Sequence, residues 1–229
     1  MSAQLTRQQI DMRLARDRAQ AEALFGGLVS RETWARLDSL VALLLKWQDT
    51  TNLIAPSTLN EIWTRHIADS LQLLTIVPEA RVWVDLGSGG GFPGLVVACA
   101  MADYPGAKVH LVESNQKKSA FLRESARVLN VPAIVHARRI EDFVSASMQS
   151  FDVVTARALA PLEKLLGYAG PLLKTGAIGL FPKGQDVEAE LTAASKSWTM
   201  WTELVPSVTD PQARIVVVRR ATELTYCKL

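Results

Sequence analysis

Cysteine is nearly absent: two in 229 residues, Cys99 and Cys227, with no Cys-x-x-Cys spacing and only three histidines to join them. That excludes a disulfide framework and a zinc-type ligand set, so no metal is expected and a reducing compartment is. No apolar run approaches the length of a membrane span. The first twenty residues are polar, carry both charge signs and do not read as a signal peptide. An excess of one charge is also missing, since 25 Lys and Arg stand against 23 Asp and Glu. A net charge of +2 is mildly basic: it permits a local basic patch that meets nucleic acid and does not demonstrate one. There is no repeat, low-complexity tract or flexible linker. A soluble, cytoplasmic chain of one large domain, or one domain with an extension, is expected.

Glycine, by contrast, is concentrated in one place. Val82-Trp83-Val84-Asp85-Leu86 is a short, β-branched apolar run, and glycines follow at 87, 89, 90, 91 and 94. An apolar helical pattern then runs from Leu95 to Met101. Strand, glycine loop and helix form a nucleotide site, because the helix start offers free N–H groups over the loop. Gly89-x-Gly91-x-x-Gly94 matches a dinucleotide fingerprint. Asp85-x-Gly87-x-Gly89-x-Gly91 matches instead the loop that wraps the amino-acid part of S-adenosylmethionine. Both readings want an acid at the end of the next strand, where Glu113 stands, to take the ribose hydroxyls. Tyr104-Pro105-Gly106-Ala107-Lys108 imitates the Tyr-x-x-x-Lys of short-chain dehydrogenases. Pro105-Gly106 breaks the helix that chemistry needs, and the case for an oxidoreductase goes with it.

The first third reads as helical. Thr6-x-x-Gln9 fits a capping box, and Gly26-Gly27 ends the first helix. Ser30 fits the cap of a second, whose buried face carries Leu37, Leu40, Val41, Leu44, Leu45 and Trp47. A third helix starts near Ser57 or Thr58 and ends before Pro78. From Arg81 strands and helices alternate. Strands are predicted at Val82–Leu86, Val109–Glu113, Ala133–His136, Phe151–Ala156, Ala177–Phe181, Trp198–Val205 and Arg214–Arg220. Helices fit at Gly94–Met101, Gln116–Leu129, Ile140–Ser147, Pro161–Leu173 and Asp186–Lys196. This pattern predicts an α/β fold with a seven-stranded, mostly parallel sheet: residues 80–229 as a Rossmann-like domain, residues 1–79 as a helical extension. Ligands of such sheets sit beyond the carboxyl ends of the strands, so Asp85 to Gly94, Glu113 and the residues after Ala156 should meet in space.

Other candidates lie at the same rim. Ile140 and Glu141, after the third strand, suit the edge of an adenine ring. Arg138 and Arg139 suit phosphates or solvent. Arg157 at the exit of the fourth strand needs a partner or a ligand, because an unpaired buried cation is costly. Lys183 ends the fifth strand, where it meets an anionic substrate or water. His66 and Asp69 are one helical turn apart and can hydrogen-bond to each other. The exit of the fourth strand lacks the Asp/Asn-Pro-Pro-aromatic motif of exocyclic-amine methylation. It also lacks the cysteine of pyrimidine-carbon methylation. An acceptor with its own lone pair remains.

Asn52-Leu53, Arg65-His66-Ile67-x-Asp69-Ser70, Asp85 to Gly94, Glu113-Ser114, Arg139-Ile140-Glu141, Ala156-Arg157-Ala158 and Lys183-Gly184 occur in that order. From about Leu40 to Gln185 the chain resembles the glucose-inhibited division protein B family, ribosomal RNA small subunit methyltransferase G. The resemblance implies a class I methyltransferase fold. It also implies methyl transfer from S-adenosylmethionine to N7 of a guanine in 16S ribosomal RNA of the small subunit. A monomer is expected, although the residues do not fix the oligomeric state. Carried over, the family's cofactor contacts fall on Gly87, Phe92, Ile140, Glu141 and Arg157; the residues themselves add Asp85, Gly89 and Glu113. Guanine N7 has a free lone pair and no proton to lose. No catalytic base is therefore expected, and Arg157, Lys183 and Arg139 are expected to position the reactants. A methyltransferase for a small molecule or a protein, and a non-catalytic cofactor- and RNA-binding assembly factor, are the competing readings.

Overall fold

The computed structural model describes residues 7–224. Helix α1 (Arg7–Phe25) and helix α2 (Arg31–Gln48) open the chain. The predicted start of α1 involves Thr6, which lies outside the described residues, as does Cys227. Ser30 does cap α2: its hydroxyl accepts from the Thr33 backbone N–H at 3.1 Å. The apolar stripe of α2 buries Leu37, Leu40, Val41 and Leu44.

The third helix differs from its expected form. It begins as a 3-10 turn (Pro56–Glu61), widens to a π-helical turn (Ile62–Ala68) and becomes α-helix only in α3 (Asp69–Ile76). The physical reason lies outside the segment. The buried carboxylate of Asp17, on α1, accepts from Trp63 N (2.7 Å), Thr64 N (3.2 Å) and the Thr64 hydroxyl (2.6 Å). The start of the π turn is thus capped by a residue 46 positions upstream, and local sequence does not set its register.

The sheet contains β1 (Val82–Leu86), β2 (Lys108–Val112), β3 (Ala133–His136), β4 (Val153–Thr155), β5 (Ile178–Lys183), β6 (Trp198–Pro206) and β7 (Arg214–Glu223). The spatial order is β3-β2-β1-β4-β5-β7-β6. β1 to β5 run parallel, and β7 pairs antiparallel with both β5 and β6. β4 is shorter than expected, and β5 continues through Pro182 and Lys183, paired with Ile215 and Arg214.

Side chains alternate between two cores, as the period of two requires. Trp83, Val109, Leu111, Val153 and Leu180 face one layer; Val84, Leu86, Val112, Val154 and Phe181 face the other. The first layer joins α1 to α3 with α4 (Gly94–Ala100) and α5 (Gln116–Leu129), so the helical N-terminal segment shares its core with the sheet. The second layer is α6 (Ile140–Ala146), α7 (Leu162–Lys174) and α8 (Val187–Ala194). Helices on both faces leave the carboxyl ends of β1 and β4 open where the strand order reverses, the place where such sheets take ligands.

Candidate functional site

The loop after β1 is built by hydrogen bonds from its neighbours. Gly87 N and Ser88 N both donate to the Val112 carbonyl, at 2.9 and 3.0 Å. Gly87 takes φ = 72°, and a Cβ there would sit 2.7 Å from Leu159, so only glycine fits. A Cβ on Gly90 would stand 2.8 Å from the Leu53 carbonyl, because the Leu53–Ala55 segment packs against the loop. That segment is held by Gln48, whose side-chain oxygen accepts from Leu53 N and Ile54 N, at 3.0 and 3.2 Å.

A cleft of about 570 Å³ lies over this loop. Gly87, Gly89, Phe92, Glu113, Arg138, Arg139, Ile140, Glu141 and Arg157 all line it, so residues far apart in sequence meet as expected. Glu113 accepts from Gly89 N at 2.9 Å on one oxygen and from Asn115 N at 2.7 Å on the other. Arg139 is mostly exposed, 3.8 Å from the Glu141 carboxylate.

Asp85 stands elsewhere. It is buried beneath the loop and absent from the cleft lining, accepting from the Thr155 hydroxyl at 2.9 Å and from Gly94 N at 3.3 Å. Burial raises its pKa to about 6, against the opposing hydrogen bonds from Thr155, Ser88 and Gly94, with a smaller push from Glu113. Its work is to join the end of β1 to β4 and to the start of α4.

His66 and Asp69 do not bond to each other; Arg157 stands between them. Arg157 donates from Nη1 to His66 Nδ1 at 3.0 Å and from Nη2 to the Arg65 carbonyl at 2.6 Å. Nη2 also lies 3.8 Å from Asp69. Asp69 accepts from the hydroxyls of Ser207 (2.9 Å) and Thr209 (2.6 Å) in the β6–β7 turn. The separation arises because His66 lies in the π-helical turn and Asp69 begins α3. The next residue, Ala158, has φ = 51°, a left-handed conformation that costs a residue with a Cβ about 1 kcal/mol.

Ala158 belongs to the wall between the cleft and a second cavity of about 710 Å³. Both cavities are lined by Arg65 and by Arg157, Ala158 and Leu159. The second is completed by Asp69, Lys183, Glu190, Ser207, Thr209 and Arg214, among others. Lys183 is not free there. Its ammonium donates to the Ala160 carbonyl (2.8 Å) and to Glu190 (2.7 Å), and its side chain is only 9% exposed. It lines the second cavity engaged in an internal ion pair, and not as the solvated lysine that was the other expectation. Sequence reasoning missed Asp17 and Ser207, which act across distant segments, and Gln48 and Thr58, which act locally, Thr58 on His66 Nε2 at 2.9 Å; none of them forms a recognisable motif.

Among the described residues no group of three His, Cys, Asp or Glu can hold a metal ion, and no helix is long and apolar enough to cross a membrane.

A parallel sheet with an antiparallel β7 inserted beside β5, and a glycine-walled cleft at its switch point, defines a Rossmann-like methyltransferase of class I. The O-methyltransferase TomG from Streptomyces achromogenes, solved in complex with SAM, shares the fold at a TM-score of 0.57 and 14% identity, over 90% of this chain and 98% of that one. The chain belongs to the rRNA small subunit methyltransferase G family, whose model matches residues 33–216. Ribosomal RNA small subunit methyltransferase G of Bradyrhizobium sp. strain BTAi1 is 59% identical over 205 residues, 90% of this chain and 91% of its own length. The relative of the same name from Nitrobacter hamburgensis is 57% identical over 206 residues, 90% of this chain and 78% of its own length.

Proposed function

We propose that this protein binds S-adenosylmethionine in the first cleft and methylates N7 of a guanine in 16S ribosomal RNA that reaches it through the second cavity. The observation that carries the reading is the shared wall: Arg65, Arg157, Ala158 and Leu159 border both spaces, so a donor in one and an acceptor in the other meet there. When bound, S-adenosylmethionine supplies an electrophilic methyl group on a sulfonium.

The residues fit that donor from end to end. The main chain at Ile140 and the Glu141 carboxylate face the adenine end. Each Glu113 oxygen keeps a lone pair for a ribose hydroxyl beside the backbone N–H it already accepts. Gly87 and Gly89 back the amino-acid part, and Arg157 lies past them at the end of β4. Asp85 supports the loop from below without touching the donor.

The imidazole beside the wall is not available as a base. The His66 lone pair is taken by Arg157, and burial followed by the charges of Arg157 and Arg65 lowers its pKa to about 3. Guanine N7 needs none. Catalysis is then alignment of the two reactants, an effect worth about 7–11 kcal/mol at most. Action as a monomer in the cytoplasm belongs to the same reading.

Radiolabelled S-adenosylmethionine incubated with small-subunit RNA, ribosomal subunits and a protein extract tests it. The label is expected in 7-methylguanosine after digestion of the RNA. Label in protein or small molecules, with the RNA blank, would refute the acceptor and keep the donor site.

A further inference from the structure

We infer that His66 is a positioning residue for the methyl donor: its neutral imidazole fixes the Arg157 guanidinium at the methionine end of the cleft while leaving the positive charge for the donor's carboxylate. The inference rests on the S-adenosylmethionine reading.

The order of the strands gives the place. Ile140 and Glu141 follow β3, Glu113 follows β2, the glycine loop follows β1 and Arg157 follows β4, and these strands lie side by side in that order. Adenine, ribose and amino acid therefore map along the cleft, and Arg157 lies at the far end from the adenine edge. The amino-acid part of S-adenosylmethionine carries a carboxylate.

The hydrogen bonds fix the protonation of His66 from both sides. A guanidinium can only donate, so Nδ1, 3.0 Å from Arg157 Nη1, is an unprotonated acceptor. The Thr58 hydroxyl spends its proton on the Ala55 carbonyl at 2.9 Å, so it accepts from His66 Nε2 at 2.9 Å. The ring is therefore the neutral Nε2–H tautomer. Phe92 packs against it with ring centroids 4.9 Å apart, which fixes its plane.

The partners of Arg157 are thus mainly neutral. Its short hydrogen bonds go to an imidazole and to a backbone carbonyl; among the described residues its one ion pair is with Asp69, 3.8 Å away with two hydroxyls on its other oxygen, and the buried Asp85 carboxylate acts on it only through its charge, without a hydrogen bond. A carboxylate in place of His66 would form a close charged pair and compete with the ligand's own carboxylate. An imidazole holds the same geometry without that competition.

Asn and Asp at position 66 have nearly the same shape, and each offers a side-chain oxygen near the place of Nδ1. They differ in charge, which a purely structural role would not distinguish. The test is calorimetric binding of S-adenosylmethionine and of its decarboxylated analogue to the unmodified chain, His66→Asn and His66→Asp. The unmodified chain is expected to prefer the carboxylate-bearing compound by about tenfold or more. His66→Asn is expected to keep that preference within about threefold, and His66→Asp to lose most of it. Equal preference in the two variants, or none in the unmodified chain, would overturn the inference. Failure of the unmodified chain to bind either compound would sink the donor reading and this inference with it. Nitrogen NMR of the unmodified chain, independent of any variant's folding, is expected to show a neutral Nε2–H imidazole at pH 6. A charged imidazolium there would overturn it.

Discussion

Glu113 at the end of β2 accepts a hydrogen bond from Gly89 N at 2.9 Å, across the gap between two strands. One carboxylate thus holds the glycine loop in place and presents itself to the cleft. Truncation removes both roles. Glu113→Ala is expected to weaken S-adenosylmethionine binding about 10- to 100-fold, the worth of hydrogen bonds to a charged acceptor. Glu113→Gln, which keeps an acceptor oxygen, is expected to lose less. Calorimetry on the three proteins decides, and unchanged affinity in Glu113→Ala would remove Glu113 from the donor site.

Asp85 gives a pH dependence of stability with a definite sign. Its folded pKa, about 6, lies above the unfolded value near 3.8. Between those values the folded chain binds more protons than the unfolded one. The Asp85 contribution to stability is therefore full below about pH 4 and falls as pH rises toward 6 and just beyond, by roughly 2–3 kcal/mol in total. Asp85→Asn cannot ionise and does not follow this fall. In urea unfolding, native stability minus variant stability is expected to be larger at pH 4 than at pH 7. A difference that stays constant with pH would mean that Asp85 ionises as freely in the fold as in water.

Asp17 is expected to matter for stability although it lies far from the cleft. Asp17→Ala leaves Trp63 N without its buried acceptor and frees Thr64 as well. The cost is about 2–3 kcal/mol, read as a lower urea midpoint with an unchanged slope. His66 lies on the same π turn, so a slackened turn is also expected to lower donor affinity. A variant as stable as the native chain would show that α1 merely covers this turn.

What was legible in the sequence followed from local physics. Alternating apolar strands gave Val82–Leu86 and its parallel neighbours, because each residue of a two-sided sheet must find one of two cores. Gly87 was legible because a positive φ is a demand of the backbone, and the place of Glu113 in the cleft because an acid at the end of β2 stands beside the loop that follows β1. The misreadings share one cause, which is contact between distant segments. The π turn depends on Asp17, 46 residues before Trp63, and the His66–Asp69 pair is split by Arg157, 91 residues after His66. Asp85 carries the right motif for a ligand contact, yet burial under its own loop gives it a supporting task. None of these partners is marked by spacing or composition.

Lys183 separates the two accounts of the acceptor side. In the fold its ammonium lies 2.7 Å from the Glu190 carboxylate, which also accepts from Leu162 N at 2.6 Å at the start of α7. Lys183→Met strands a half-buried carboxylate, and the expected loss is about 2–4 kcal/mol of unfolding free energy. The ammonium points away from the first cleft, so S-adenosylmethionine affinity is expected to stay within about twofold, below the roughly 1.4 kcal/mol of a tenfold change. Replacing both partners, as Lys183→Met with Glu190→Leu, is expected to recover part of the stability, because no unpaired charge is then left behind. The contrary outcome is equally specific. If Lys183→Met unfolds like the native chain but loses methyl transfer to ribosomal RNA, the ammonium leaves Glu190 to meet the RNA backbone. The anion contact read from the sequence would then be the working one.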